Sequence, residues 1–237
     1  MRKYTSTQIV NMVSNNLKPL ETLYQKPFVN YLGKTSNTNE YYTEIVAGIL
    51  LNNNFAQQLK NVPPINRKNY NVNHTGVIST GRLTSNRKEE RFAISLFNLS
   101  KYYGIKFRYL GKVIDYQVPL KRSNQDKNVG KIDMISQTDD EIWLLELKNF
   151  DSKDTLLKCV LEISTYYQLL NKNNFLKKSY QEFSKFKPCQ IKKGVVIFEN
   201  SLQYKEFREM KHCDRPNLMS LIKALNVEIF VVEKIFR

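Results

Sequence analysis

The sequence predicts an α/β fold: a mixed central sheet flanked by helices, with an α-helical N-terminal extension. Three observations predict it. Apolar residues recur near every 3.6 positions over 6–17, 40–60 and 154–170, the helical period. Between the second and third of these lie three segments rich in β-branched and aromatic residues, at about 105–119, 130–137 and 141–149, and two more apolar runs follow at 192–200 and 227–235. The resulting order of helix, three strands, helix, strand, helices and strand builds a sheet with helices on its faces.

Each element has a local reason. An Asn-rich piece around 33–39 links the first two helices, and 61–86, with Pro63-Pro64, Gly76 and Gly81, reads as a long loop. A helix then starts with Ser85 or Asn86 as N-cap, turns Phe92, Ala93, Leu96, Phe97 and Leu99 to one side, and ends before Gly104. The first strand, IKFRYLGKVIDYQVP, kinks near Gly111. The second and third, GKIDMISQ and EIWLLELKN, are joined by the tight acidic turn QTDDE into a hairpin. Asp154 is a plausible N-cap for the helix over 154–170. KKGVVIFEN and VEIFVVEKI read as buried strands, with short helices at about 201–210 and 216–225 between them. The chain divides on this reading into a mostly helical region, 1–84, and an α/β region, 85–237.

Charge narrows the partners. The 237 residues carry 37 Lys and Arg against 22 Asp and Glu, a net +15, which calls for a polyanionic partner or an acidic surface. The excess is uneven: net +6 over 1–86, +2 over 87–170 and +7 over 171–237. Most of the acids are therefore concentrated in the middle, between basic flanks. That is the distribution required by flanks that hold phosphates and a centre that holds a divalent cation.

Several classes are excluded. Two histidines, His74 and His212, are too few for a His-rich metal cluster or a zinc hydrolase. No GxxxxGK[ST] or GxGxxG loop is present, which argues against NTP-driven chemistry. Cys159, Cys189 and Cys213 are odd in number, widely spaced and without CxxC, and read as free thiols. No apolar run approaches the ~20 residues of a membrane span, and the opening MRKYTSTQIVNMVSNN lacks the apolar stretch of a signal peptide. A cytoplasmic location is the expectation.

The chemistry lies on the predicted hairpin. Asp133 falls on its first strand, and Glu146 and Lys148 fall on its second. Two residues apart on a strand, Glu146 and Lys148 project from one face, and the hairpin brings Asp133 opposite them. Their neighbours Ile132, Met134, Ile135, Leu144, Leu145 and Leu147 are apolar, and a charge amid such a run is costly unless paired or metal-bound. Two close carboxylates repel each other and are relieved by a hard divalent cation such as Mg²⁺. A lysine beside them can orient water and steady developing negative charge. A plain Asp133–Lys148 ion pair would leave the second acid unpaired. Asp115 is a rival acid without a hairpin partner, and Asp139, Asp140 and Glu141 read as a solvated turn.

This constellation resembles the PD-(D/E)xK nuclease superfamily, which includes type II restriction endonucleases and Holliday-junction resolvases. The resemblance covers roughly 87–170, where twelve residues separate Asp133 from Glu146. It implies a restriction-endonuclease-like fold over 85–237, with Asp133, Glu146, the Leu147 carbonyl and Glu90 as metal ligands. Asp133, Glu146, Lys148 and Glu90 would be the catalytic set, and Glu89 competes with Glu90 by one position. Ile132 stands where the family has Pro. Helicase-linked exonucleases of the superfamily carry a Gln followed four residues later by Tyr, whereas Gln168 here is followed by Lys172. The implied activity is Mg²⁺-dependent hydrolysis of double-stranded DNA, with Mn²⁺ a possible substitute, in the manner of a type II restriction enzyme. A repair or recombination nuclease, an RNA nuclease, and a DNA-binding protein that keeps the fold without catalysis are the alternatives. Residues 1–84 would serve DNA recognition or a homodimer interface, and Lys121, Arg122, Lys127, Lys131 and Arg82 would contact nucleic acid. Lys177-Lys178 and Lys192-Lys193 are further, generic phosphate candidates.

Overall fold

A computed structural model describes residues 3–76, 88–122 and 129–236. Arg82, Lys127 and the predicted N-cap at Ser85 or Asn86 lie outside these residues. The described chain is a five-stranded mixed sheet with helices on both faces. The strands are β1 (Lys112–Pro119), β2 (Lys131–Gln137), β3 (Ile142–Leu147), β4 (Ile191–Ile197) and β5 (Glu228–Val231), in spatial order β1-β2-β3-β4-β5. The first three form the expected antiparallel meander, with Met134 opposite Leu145 and Gln137 opposite Ile142. β4 and β5 add in parallel, with Leu144 beside Lys193 and Glu146 beside Val195. Parallel addition needs a helical crossover. β3 is buried at every residue, as a strand covered on both faces should be.

Helices fill in around the sheet. α1 (Ser6–Ser14), α2 (Tyr42–Asn52) and α3 (Phe55–Leu59) make up the N-terminal region, and α4 (Lys88–Tyr103) precedes the meander. α5 (Leu156–Leu169) crosses from β3 towards β4 and is followed by α6 (Lys172–Lys178). α7 (Leu202–Lys211) and α8 (Pro216–Leu225) cross from β4 to β5, and α9 (Val232–Ile235) follows β5. One apolar layer, with Ile135, Leu144, Leu161 and Val195, lies between the sheet and α5 and continues without a break into Ile9, Val46 and Leu50 of the N-terminal helices. A second, with Ala93, Leu96, Met134, Leu145 and Ile235, lies under α4 and α9. No helix among the described residues is long and apolar enough to cross a membrane.

The departures from the expected elements have local causes. The helix expected over 40–60 breaks at Asn53 and Asn54, where Asn54 takes a left-handed φ of 52°. Asn tolerates that conformation better than most residues. The strand expected from Ile105 begins at Lys112, because the chain reverses through Tyr109 (φ 67°) and Gly111 (φ 70°). A Cβ on Gly111 would come within 2.0 Å of the Gln137 carbonyl oxygen, so only glycine fits there. The strand expected to run to 235 ends at Val231 and turns into α9. α5 is capped by Thr155, whose side chain accepts from Lys158 N at 3.2 Å, and not by Asp154. α6 was not expected; Asn171 caps it by accepting from Asn174 N.

Candidate active site

The three central strands bring Gln117, Asp133 and Glu146 into one row. Tyr116 pairs with Met134 and Val118 with Ile132, so Gln117 sits opposite Asp133. The Met134–Leu145 pairing, extended by one residue, sets Asp133 opposite Glu146. The ladder is interrupted here, and the Asp133 side chain takes over its hydrogen bonds. Its Oδ1 accepts from the Gln117 amide at 2.8 Å and its Oδ2 from Leu147 N at 3.0 Å. In extended backbone the N–H and C=O of one residue leave the same edge of the strand. The Leu147 carbonyl therefore points to the Asp133 side.

Lys148 continues the β3 edge, with its N–H donating to Val196 O, and turns its side chain back under the sheet. Its ammonium lies 2.6 Å from Glu146 Oε1, 3.5 Å from Asp154 Oδ2 and 3.9 Å from Glu162 Oε2. Both Glu146 and Lys148 are nearly inaccessible, at 2% and 7% exposure. Burial raises the Glu146 carboxyl well above its ordinary range, and the charges of Asp133 and Glu162 push the same way. Burial works against the Lys148 charge too, but Glu146, with Cys159, Glu162 and Asp133, holds its pKa above that of a free lysine. In the metal-free protein Lys148 is therefore held as the ammonium.

The half-buried Asp133 is pushed up to about 6, chiefly by burial and further by Glu162 and Glu89, against the pull of Lys148 and the Leu147 N–H. Its pKa is raised on folding, so the metal-free protein loses stability through this group as pH rises from about 4 to about 6. A carboxyl ¹³C titration of the metal-free protein should place the Asp133 midpoint near 6, and Mg²⁺ should lower it. An ordinary midpoint near 4 would show that the site is far more solvated than this geometry implies.

Two residues of the site were not anticipated. Glu162, on α5, stands beside Lys148 and accepts from the Tyr166 hydroxyl at 2.8 Å. Burial and the charges of Glu162 and Glu146 raise the Tyr166 pKa, so its hydroxyl stays a donor. Their spacing was a legible signal. Positions four apart share a helix face, so Glu162 and Tyr166 project together from α5. Gln117 is the other. Its φ of 47° puts a non-glycine residue in the left-handed region within a strand, a strain that tends to collect at functional sites. Gln117→Gly should leave stability unchanged or raise it by about 1 kcal/mol, while weakening any binding of Mg²⁺ at Asp133 roughly 10–100-fold through loss of the Asp133 brace. Thermal melts and Mg²⁺ titrations would check both, and an unchanged affinity would show the brace to be idle.

Two adjoining cavities expose these groups. The outer one, about 460 Å³, is lined by Asp133, Gln117, Glu89, Glu90 and Lys88; the inner one, about 370 Å³, by Asp133, Glu146, Lys148, Glu162 and Glu89. Glu89 thus reaches both, accepts from Asn149 N at 3.3 Å and raises the Asp133 pKa, whereas Glu90 lines only the outer cavity. Of the two candidates, Glu89 is the better placed. Lys121 and Lys131 stand exposed on the inner cavity's rim, and exposed Arg122 follows Lys121. Asp115 lies elsewhere, buried and held by His74 Nδ1 at 2.6 Å and the Tyr180 hydroxyl at 2.6 Å.

The donor set suits a hard cation. Asp133 and Glu146 offer only oxygen, and burial first, with neighbouring carboxylates adding to it, raises both carboxyls, a cost of holding them ionised that a bound cation would relieve. Each carboxylate oxygen already hydrogen-bonded retains a second lone pair. Among the described residues no three His, Cys, Asp or Glu side chains converge on one point. The protein's share would be two carboxylates and the Leu147 carbonyl, as befits Mg²⁺, which keeps waters and takes substrate phosphate oxygens. Comparison of the chain with protein-family models, with curated proteins and with solved structures finds no match.

Proposed function

We propose that the protein is a Mg²⁺-dependent endonuclease that hydrolyses DNA phosphodiester bonds, most simply in the manner of a type II restriction enzyme. One observation carries the reading. Asp133 and Glu146 stand side by side on adjacent strands, with Lys148 fixed beside them, in a cavity whose rim carries Lys121 and Lys131. The rim lysines would grip the backbone, independently of base sequence. Asp133, Glu146 and the Leu147 carbonyl would hold the cation, which polarises a phosphoryl oxygen and acidifies water. Lys148 Nζ would help orient the attacking water, whose proton passes to solvent, and would donate to the phosphoryl oxygens as their charge develops. Tyr166 keeps Glu162 turned towards Lys148, which holds the ammonium in place. A double-strand cut by such a site needs a second copy on the antiparallel strand, so a homodimer belongs to the reading.

The test is incubation with plasmid and phage DNA in Mg²⁺ or in EDTA, alongside Asp133→Ala. Discrete Mg²⁺-dependent fragments, absent with the variant, are the expected result. Structure-selective nicking would redirect the reading to a repair or recombination nuclease. DNA that is bound but uncut under any divalent metal would overturn the catalytic reading in favour of a DNA-binding protein.

A further inference from the structure

On the α5 side of the sheet, away from the carboxylates, a second cationic group gathers around one aromatic ring. Lys193 of β4 and Lys172, at the start of α6, place their ammonium groups 4.2 Å and 4.0 Å from the centroid of the Tyr167 ring. Both lysines are half-buried, and neither makes an ion pair or a hydrogen bond through its ammonium among the described residues. Their neighbour Lys192 differs: it faces Glu141 at 3.7 Å. Exposed Lys60 adds a third positive charge felt at Lys193. Burial, and then the charges of Lys172 and Lys60, push the Lys193 ammonium down to about 8.

Two ammonium groups within about 4 Å of one ring repel each other, and no acid of the described chain offsets them. The ring face attracts each cation, but it supplies no counter-charge. An anion held by either ammonium would supply that counter-charge and offset the repulsion. We propose that Lys193 and Lys172 beside Tyr167 form a phosphate-binding site, taking a backbone phosphate of nucleic acid or a free phosphate. The site is separate from the carboxylate cavities and does not depend on whether these cleave. Leu144 pairs with Lys193 and Glu146 with Val195, so Lys193 lies two residues back along the sheet on the face that carries Glu146. A strand bound at the carboxylates could extend towards it.

The repulsion gives the proposal a signature that a packing role lacks. Lys193→Met keeps the apolar stem and removes the charge. The variant should melt at a higher temperature than wild type in phosphate-free buffer of low salt, and should lose the stabilisation that inorganic phosphate confers on wild type. In DNA binding, its log K against log salt should be shallower by about one unit, the share of one neutralised phosphate. Lys192→Met, which removes a paired lysine, should do neither. Stabilisation by inorganic phosphate identifies a free-phosphate site. A Lys193-dependent salt slope without any response to inorganic phosphate identifies a nucleic-acid site. If Lys193→Met melts lower than wild type and leaves both phosphate stabilisation and the salt slope unchanged, the lysines only pack against Tyr167 and the proposal fails.

Discussion

Lys148→Met should lose Mg²⁺-supported cleavage by at least about 100-fold and, without metal, should be less stable than wild type by about 3–5 kcal/mol. The two effects have one cause. Lys148 lies within 2.6–3.9 Å of Glu146, Asp154 and Glu162, and its charge also reaches Asp133. Methionine keeps the volume, so the loss reports charge and not a cavity. Glu146 would then be buried beside two acids with no counter-charge, a state relieved only by taking up a proton or by admitting a cation. Mg²⁺ should therefore raise the melting temperature of the variant by more than it raises that of wild type. Lowering the pH should also narrow the stability gap, because protonated Glu146 no longer needs Lys148. A variant that stays as stable as wild type at neutral pH without metal would show that the Lys148–Glu146 pair is solvated and that the centre is less closed than its geometry implies.

Arg215→Ala should cost about 3–5 kcal/mol of stability while leaving the cleavage rate per folded molecule unchanged. Arg215 is 4% exposed and lies 3.3 Å from Glu206 and 2.6 Å from Glu209, and it also donates to the Thr43 hydroxyl of α2. Its guanidinium covers the Tyr41 ring at 3.8 Å. Glu206 in turn accepts from Leu156 N at the start of α5. One side chain thus ties the N-terminal helices to α7, α8 and, through Glu206, the helix that carries Glu162. Burial already raises the Glu206 carboxyl, with Arg215 pulling the other way. Without the arginine its folded pKa rises further, so the deficit should be full at pH 8 and shrink as pH falls through that pKa. Urea unfolding at pH 8 and pH 5 would measure both terms, and an equal deficit at the two values would exclude Glu206 as its source.

Asp133, Glu146 and Lys148 were legible because strand geometry is periodic. A two-residue spacing fixes the face, and a short acidic turn fixes which strands pair. Glu162 lies sixteen residues beyond Glu146 on a different element, and no strand rule connects them. It enters the site because the apolar face of α5, with Leu157, Val160 and Leu161, must pack on the sheet, which turns Glu162 to the edge beside Lys148. The choice between Glu89 and Glu90 is likewise one of rotation. Adjacent helical residues point about 100° apart, and the seating of Ala93, Leu96 and Phe97 against β1 and β2 decides which acid reaches Asp133. The cap of α5 moved from Asp154 to Thr155 for a similar reason: Asp154 is engaged by Lys158 and Lys148, and the Thr155 hydroxyl is free to accept.

By itself, then, the sequence determined the alternation of strands and helices, the hairpin with its Asp, Glu and Lys, and the basic flanks around an acidic centre. All of these are local periodicities or sums along the chain. Tertiary structure alone decided the left-handed Gln117 brace, the approach of Glu162 and Glu89, the Arg215 tie and the unpaired lysines around Tyr167. Each joins residues whose meeting depends on how whole apolar faces pack, and packing is set by the rest of the chain rather than by the residues that meet.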